Sequence, residues 1–425
     1  MARLIERFHP AVPGSRTRKS HAQRLLSLGF DRWITADRPP AHLLRPEDVR
    51  DIVRHLEIDR LAPGITDYLV ESTISALGAA TFDVAPLATR FNAPPRDVLE
   101  RRFAPLLSHH AANTRIGTAR FLGAIAAAGD LLLQRIPKET DPWIRRALLE
   151  AYEGSHVLTP AQATAILRTT DRNDWWTVGR ALQALPGTLG ACIISDGTGF
   201  AADLGRLAAA AGCEVALATD FEDWSDVDHR SSPLSGFSLV VLVRGEHYSR
   251  EESRPLYEAL ISYVQQGGSL FATSWVAWEA AADLAMRSLL PVIHAGTSFD
   301  EDVVRTIVFH AGTTPDPELS LPIHSLSVRG SFERLLMAPD GVAMLRIAED
   351  DSPFLALRHA GQGLVVYLNV CQHYCGNHRS LHMRTPVSTM PSPLTNQPQL
   401  SDTIQSVLSW LATASRRTTH PANQS

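Results

Sequence analysis

The sequence predicts an α/β domain, a three-layer parallel sheet covered by helices, preceded by an all-helical domain. Three observations predict this. Short, continuous apolar runs recur at Leu189–Ser195, Cys213–Thr219, Phe237–Val243 and Ser269–Thr273. Helical runs separate or follow them at Phe200–Ala211, Glu251–Gln266 and Trp278–Leu289. Ahead of residue 188 the patterns are helical instead. Strands apolar on both faces that alternate with helices signal a parallel sheet buried on both sides, and the right-handed crossover rule leaves few topologies open.

In chain order, residues 1–25 form a basic N-terminus that reads as flexible or partly helical, and 26–187 form the helical domain. Pro46–Leu56 starts with a proline and has acids in its first turn, both favourable at a helix start. Helical stretches follow at Ile65–Leu77, Asn113–Ala128, Asp141–Tyr152, Thr159–Leu167 and Asp174–Leu185, the last stopped by Pro186-Gly187. Ala119, Ala147 and Ala181 recur at loosely the period of paired-helix solenoids. Asp141, Trp143-Ile144 and Arg145 stand in an Asp-x-hydrophobic-hydrophobic-Arg pattern, with a less regular match at Asp174, Val178 and Arg180. This resembles HEAT-like repeats, and the resemblance implies a protein partner bound along the stacked helices. Trp143, Trp175 and Trp176 are expected mainly as core between repeats, with an outward contact role as the alternative.

Residues 188–415 form the α/β domain, and 416–425 a disordered tail. Four features carry a resemblance: the first strand ending in Ser195-Asp196-Gly197; Phe237–Val243 followed by Tyr248-Ser249-Arg250-Glu251-Glu252; the glycine pair in Gln266-Gly267-Gly268-Ser269-Leu270-Phe271; and His359-Ala360-Gly361-Gln362-Gly363 leading into Leu364–Leu368. The domain resembles the class I glutamine amidotransferase-like superfamily, in its ThuA-like or a related branch. That implies a flavodoxin-like sheet and, in active members, a cysteine nucleophile at a sharp turn after the central strand. Here the turn reads Thr273-Ser274-Trp275-Val276 and has no cysteine. Glutaminase activity is therefore not expected.

Three candidate sites remain. Ser274 is a candidate nucleophile, with His294, His247 or His373 as base and Glu246 as the group that orients it; its competing role is to cap the helix beginning near Val276. Asp196-Gly197-Thr198-Gly199, with Ala202 and with Asp220 after the next strand, fits a nucleotide-binding glycine loop, although Asp196 would sit close to a phosphate. A tight turn is the favoured reading of those glycines. Cys371, Cys375, His378 and His382, with His373 beside them, have the ligand types of a zinc site, making zinc the one candidate cofactor. Glu222–Arg230 is an acidic loop expected to be solvated.

A net charge of −5 gives no support for nucleic-acid binding, and four cysteines do not make a disulfide scaffold. No apolar run is long enough to span a bilayer and the N-terminus has no hydrophobic signal core, so no membrane role is expected and the cytoplasm is the expected compartment. The expected function is a scaffold or interaction protein, self-association included, whose amidotransferase-like domain is catalytically degenerate and binds a small ligand. The alternatives are a Ser274 hydrolase and a nucleotide-binding module.

Overall fold

A computed structural model describes residues 15–89, 96–195, 199–219, 224, 232–243, 254–309, 319, 321, 325–370 and 392–419. The chain forms two compact units, Met1–Thr169 and Thr170–Ser425.

The first unit is helical. Its described helices are α1 (Ser15–Thr35), α2 (Pro46–His55), α3 (Pro63–Ala79), α4 (Ala85–Ala88), α5 (Arg96–Leu107), α6 (Ala112–Gly123), α7 (Gly129–Arg135), α8 (Pro142–Glu153) and α9 (Pro160–Thr169). Proline in the first turn of α2, α3 and α8 supplies a preset φ where no N–H is needed. α2 buries Val49, Ile52 and Val53 on one face, and its Glu47 and Asp48 meet the positive helix end. α3 and α6 cross closely. A Cβ on Gly117 would stand 1.8 Å from the Ile74 carbonyl oxygen, and one on Gly78 2.4 Å from that of Asn113. Side chains there would force the two helices apart.

A buried carboxylate ties α6, α7 and α8 together. Glu139 is 3 % exposed. Its Oε2 accepts from Arg135 Nη2 at 2.9 Å and lies 3.2 Å from Arg115 Nε as an ion pair that is not aligned as a hydrogen bond. Its Oε1 accepts from the backbone N–H groups of Thr140 and Asp141. Burial alone would raise this carboxyl; the Arg135 hydrogen bond, the Asp141 N–H and the Arg115 charge outweigh it and hold it below the usual range.

The second unit is a mixed sheet with helices. The strands are β1 (Gly190–Ser195), β2 (Glu214–Thr219), β3 (Leu239–Val243), β4 (Ser269–Thr273), β5 (Val292–Phe309), β6 (Ser325–Met337), β7 (Val342–Ile347), β8 (Pro353–Ala360) and β9 (Gly363–Leu368). Their order is β2-β1-β3-β4-β9-β8-β7-β5-β6. The stretch β2-β1-β3-β4-β9 is parallel, as the sequence predicts. The wholly parallel sheet is corrected: β9-β8-β7-β5-β6 pair antiparallel. The reason is local. Tight turns at Asp351 (φ 60°) and Gly361 (φ 62°) join β7 to β8 and β8 to β9, and such short connections permit only antiparallel neighbours.

The helices are α10 (Trp175–Gln183), α11 (Gly199–Ala210), α12 (Arg254–Gln265), α13 (Val276–Ala280), α14 (Leu284–Leu289) and α15 (Pro398–Thr419). α11 and α15 share one core with Ile193, Val241, Phe271 and Val366, while α12 lies against β4 and β9 outside that cluster. α10 packs on β2 and on the 3-10 turn Pro233–Gly236, where a Cβ on Gly236 would meet the Gly179 carbonyl oxygen at 2.0 Å. The expected single helix over Trp278–Leu289 is two, because Asp283 caps a new start through the N–H groups of Ala285 and Met286. The glycine pair does what its position suggests. Gly267 takes φ 103° to end α12, and Gly268 lies against the Tyr263 ring, leaving no space for a Cβ.

Candidate functional site at the turn after the central strand

In strand order, β1 lies between β2 and β3, so the chain reverses its direction of travel across the sheet at β1 and β3. Ligands of open α/β sheets bind at the carboxyl edge of such a switch point. The parallel strands end on that edge in register, Ser195 beside Val243 and Thr273 beside Leu368. Next along the edge come Ser274, after β4, and Asn369, after β9.

The turn after β4 is sharp. Trp275 has φ 78° and ψ −29°, a left-handed conformation that costs a bulky side chain about 1–3 kcal/mol and persists only where the surroundings hold it. The holding group is Glu333 on β6. It is 1 % exposed and accepts from Trp275 N–H at 3.3 Å, Tyr367 O–H at 2.6 Å and the His294 ring, Nδ1, at 2.9 Å. Nδ1 of His294 thus faces the Glu333 carboxyl, and Nε2 is the ring nitrogen turned away from it. The Tyr367 hydroxyl oxygen in turn accepts from Ala277 N–H at 3.4 Å, so N–H groups at the start of α13 are met by side chains from β6 and β9.

Ser274 is fully buried and its Oγ donates to Asn369 Oδ1 at 3.2 Å. Asn369 Oδ1 also accepts from Glu333 N–H, and its Nδ2 donates to the carbonyls of Glu333 and Pro353. Ser274 does not cap α13: the N-cap is Trp275, with no side-chain cap. Ser274 and His294 therefore belong to one hydrogen-bonded network, joined through Asn369 and Glu333 and not by a direct bond. On α13, Glu279 is 3 % exposed and accepts from the Tyr257 hydroxyl.

The long hairpin β5–β6 brings Glu333 and His294 here. Its register breaks between His294 and Phe299 and again between Asp300 and Val303. Such bulges bend a hairpin, so its base reaches the β4 turn while Ile307–Phe309 pair with β7. The sequence marks Ser274 and His294 as candidates but does not mark Glu333, Tyr367 and Asn369. A signal for Glu333 is present: it shares the alternating phase of buried Ser331 and Leu335, a carboxylate on the inward face of a strand.

The other sequence-derived positions lie outside the described residues: Glu246, His247, Asp196, Gly197, Asp220, His373, Cys371, Cys375, His378 and His382, with the acidic loop except Trp224. Gly199 is described, as the first residue of α11. Among the described residues no three His, Cys, Asp or Glu side chains gather to hold a metal ion, and no helix is long and apolar enough to cross a membrane.

No family model and no curated protein matches the chain. Solved structures do. A cytoplasmic protein from Salmonella typhimurium LT2 is 11% identical, with a TM-score of 0.40, over 52% of this chain and 99% of its own. A glutamine amidotransferase from Methylobacillus flagellatus is 12% identical, with a TM-score of 0.31, over 55% of this chain and 94% of its own. The cold-adapted β-galactosidase from Rahnella sp. R3 is 16% identical, with a TM-score of 0.32, over 53% of this chain and 32% of its own. At these scores the likenesses transfer no activity.

Proposed function

We propose that the chain is a scaffold or interaction protein whose sheet unit keeps the strand–turn–helix frame of an amidotransferase-like domain without presenting a nucleophile. The observation that carries this reading is the occupancy of the turn after β4. A tryptophan takes the left-handed position, its N–H bound to Glu333, and the neighbouring serine hydroxyl is buried and bonded to Asn369. A nucleophilic serine needs access to substrate and a base within hydrogen-bond reach. The Ser274 hydroxyl has an amide in that place.

The helical unit supports the interaction half of the reading. A HEAT-like array is favoured by Asp141, which caps α8 through the N–H groups of Trp143 and Ile144, and by Arg145, which donates to the Glu139 carbonyl. Trp143 is 63% exposed with the Arg146 guanidinium 5.9 Å from its ring centre. Exposed tryptophan and arginine are frequent anchors of protein interfaces. Trp175, by contrast, is buried and stacked on Trp224.

The test has two arms. Purified protein should hydrolyse neither glutamine nor p-nitrophenyl acetate above the rate of Ser274→Ala, and native mass spectrometry should find a co-purifying protein chain that Trp143→Ala loses. Ester hydrolysis abolished by Ser274→Ala would establish the hydrolase alternative instead.

A further inference from the structure

We propose that the helical unit carries a binding pocket for a small amphipathic anion, a carboxylate or phosphate attached to an apolar body, between α1, the 40–45 turn and the start of α2. A concave pocket of about 550 Å³ lies there, within the size range of small-molecule sites.

One wall is a single face of α1. His21, Arg24, Leu25, Leu28, Gly29 and Arg32 all line the pocket, and their spacing of three and four residues puts them on one stripe of the helix. Within that stripe Leu28 is 45 % exposed, an apolar side chain open to the cavity. Arg24 and Arg32 stand one turn to either side of it, and neither forms an ion pair among the described residues. Arg45 on the facing wall is instead committed to Asp48 and Glu47. The pocket therefore combines an apolar floor with two guanidinium groups that form no ion pair among the described residues, while the one carboxylate in its lining, Asp48, is paired with Arg45.

The facing wall is held in place by α3, whose Tyr68 also lines the pocket. Tyr68 on α3 is fully buried and donates to the His42 carbonyl at 3.0 Å, and Ser72 Oγ accepts from Leu44 N–H at 3.2 Å. Gly29 makes room for this: a Cβ there would stand 2.4 Å from the Tyr68 hydroxyl. Leu43 and Leu44 are thus fixed opposite Leu25 and Leu28. A fixed apolar wall loses little freedom on binding, and guanidinium groups recognise carboxylate and phosphate through paired N–H donors.

Titration calorimetry of the full chain with decanoate, decanol and inorganic phosphate tests this. Decanoate should bind with one-to-one stoichiometry, more tightly than either of the others. Arg24→Gln combined with Arg32→Gln should weaken decanoate by about tenfold or more, as should Leu28→Glu, with unchanged circular dichroism and unfolding midpoint. These residues are at the surface, so the variants should fold. Equal binding of decanol and decanoate, decanoate binding untouched by the double variant, or no binding at all would overturn the proposal.

Discussion

A single residue, Trp275, decides how the carboxyl edge of the sheet is read. At a sharp strand-to-helix turn, the left-handed residue is the one lifted out of the chain for chemistry. Here that residue is an indole, and the serine before it points into a buried amide. The sequence places Ser274 and Trp275 at the turn but does not say which takes the left-handed position, because φ depends on what holds the turn. The holder is Glu333, which lies 58 residues away from Trp275. Glu333→Gln should therefore destabilise the sheet unit by about 1–3 kcal/mol, since an amide cannot accept from three donors; urea unfolding measures it. Glu139 makes a second prediction at this scale. Its folded-state carboxyl is depressed, so its stabilisation is complete above the ordinary glutamate range and is lost as pH falls through the lower folded value. Glu139→Gln should cost roughly 3 kcal/mol at neutral pH. It should also flatten the fall of stability in acid, measured as unfolding midpoint against pH. A midpoint-versus-pH curve parallel to that of the unsubstituted protein would contradict the ion-pair account.

Elements are legible in the sequence wherever their pattern is local. β1, β3 and β4 are apolar on both faces, and their continuous apolar runs mark them in the sequence. The β5–β6 hairpin is not so marked. Its two bulges break the alternation that marks a strand, and residues 301–307 and 325–328 read equally as edge strands or short helices. The antiparallel half of the sheet is hidden for a different reason: the turns at Asp351 and Gly361 are visible as turns, but apolar periodicity does not say that the strands they join pair with each other. The close crossing of α3 and α6 is a testable element-scale feature. Gly117→Ala places a methyl on the Ile74 carbonyl and should destabilise by about 1–3 kcal/mol. Gly154→Ala, at the end of α8 with its nearest neighbour 3.5 Å away, should be neutral or stabilising by up to about 1 kcal/mol. Thermal unfolding of the pair distinguishes packing from general glycine loss: equal shifts would refute the close crossing.

At the scale of the whole chain, a helical unit and a mixed-sheet unit each bury their own core, and the chemistry legible in the sequence is spread over both. In the sheet unit the turn after β4 is satisfied internally by Glu333, Asn369 and Tyr367. The helical unit has the outward-facing Trp143 and the arginine-flanked pocket of α1. The glycine loop at 196–198 and Cys371, Cys375, His378 and His382 lie outside the described residues. Metal analysis of the purified protein addresses the zinc proposal: stoichiometric zinc that is lost in Cys371→Ser would support it.

The proposed function requires that the turn after β4 present no nucleophile. Intact-mass analysis after exposure to a fluorophosphonate, which captures activated serines covalently, tests it most directly. The protein should keep its unmodified mass, as Ser274→Ala does. A single phosphonyl adduct mapped to Ser274 and absent from Ser274→Ala would contradict it.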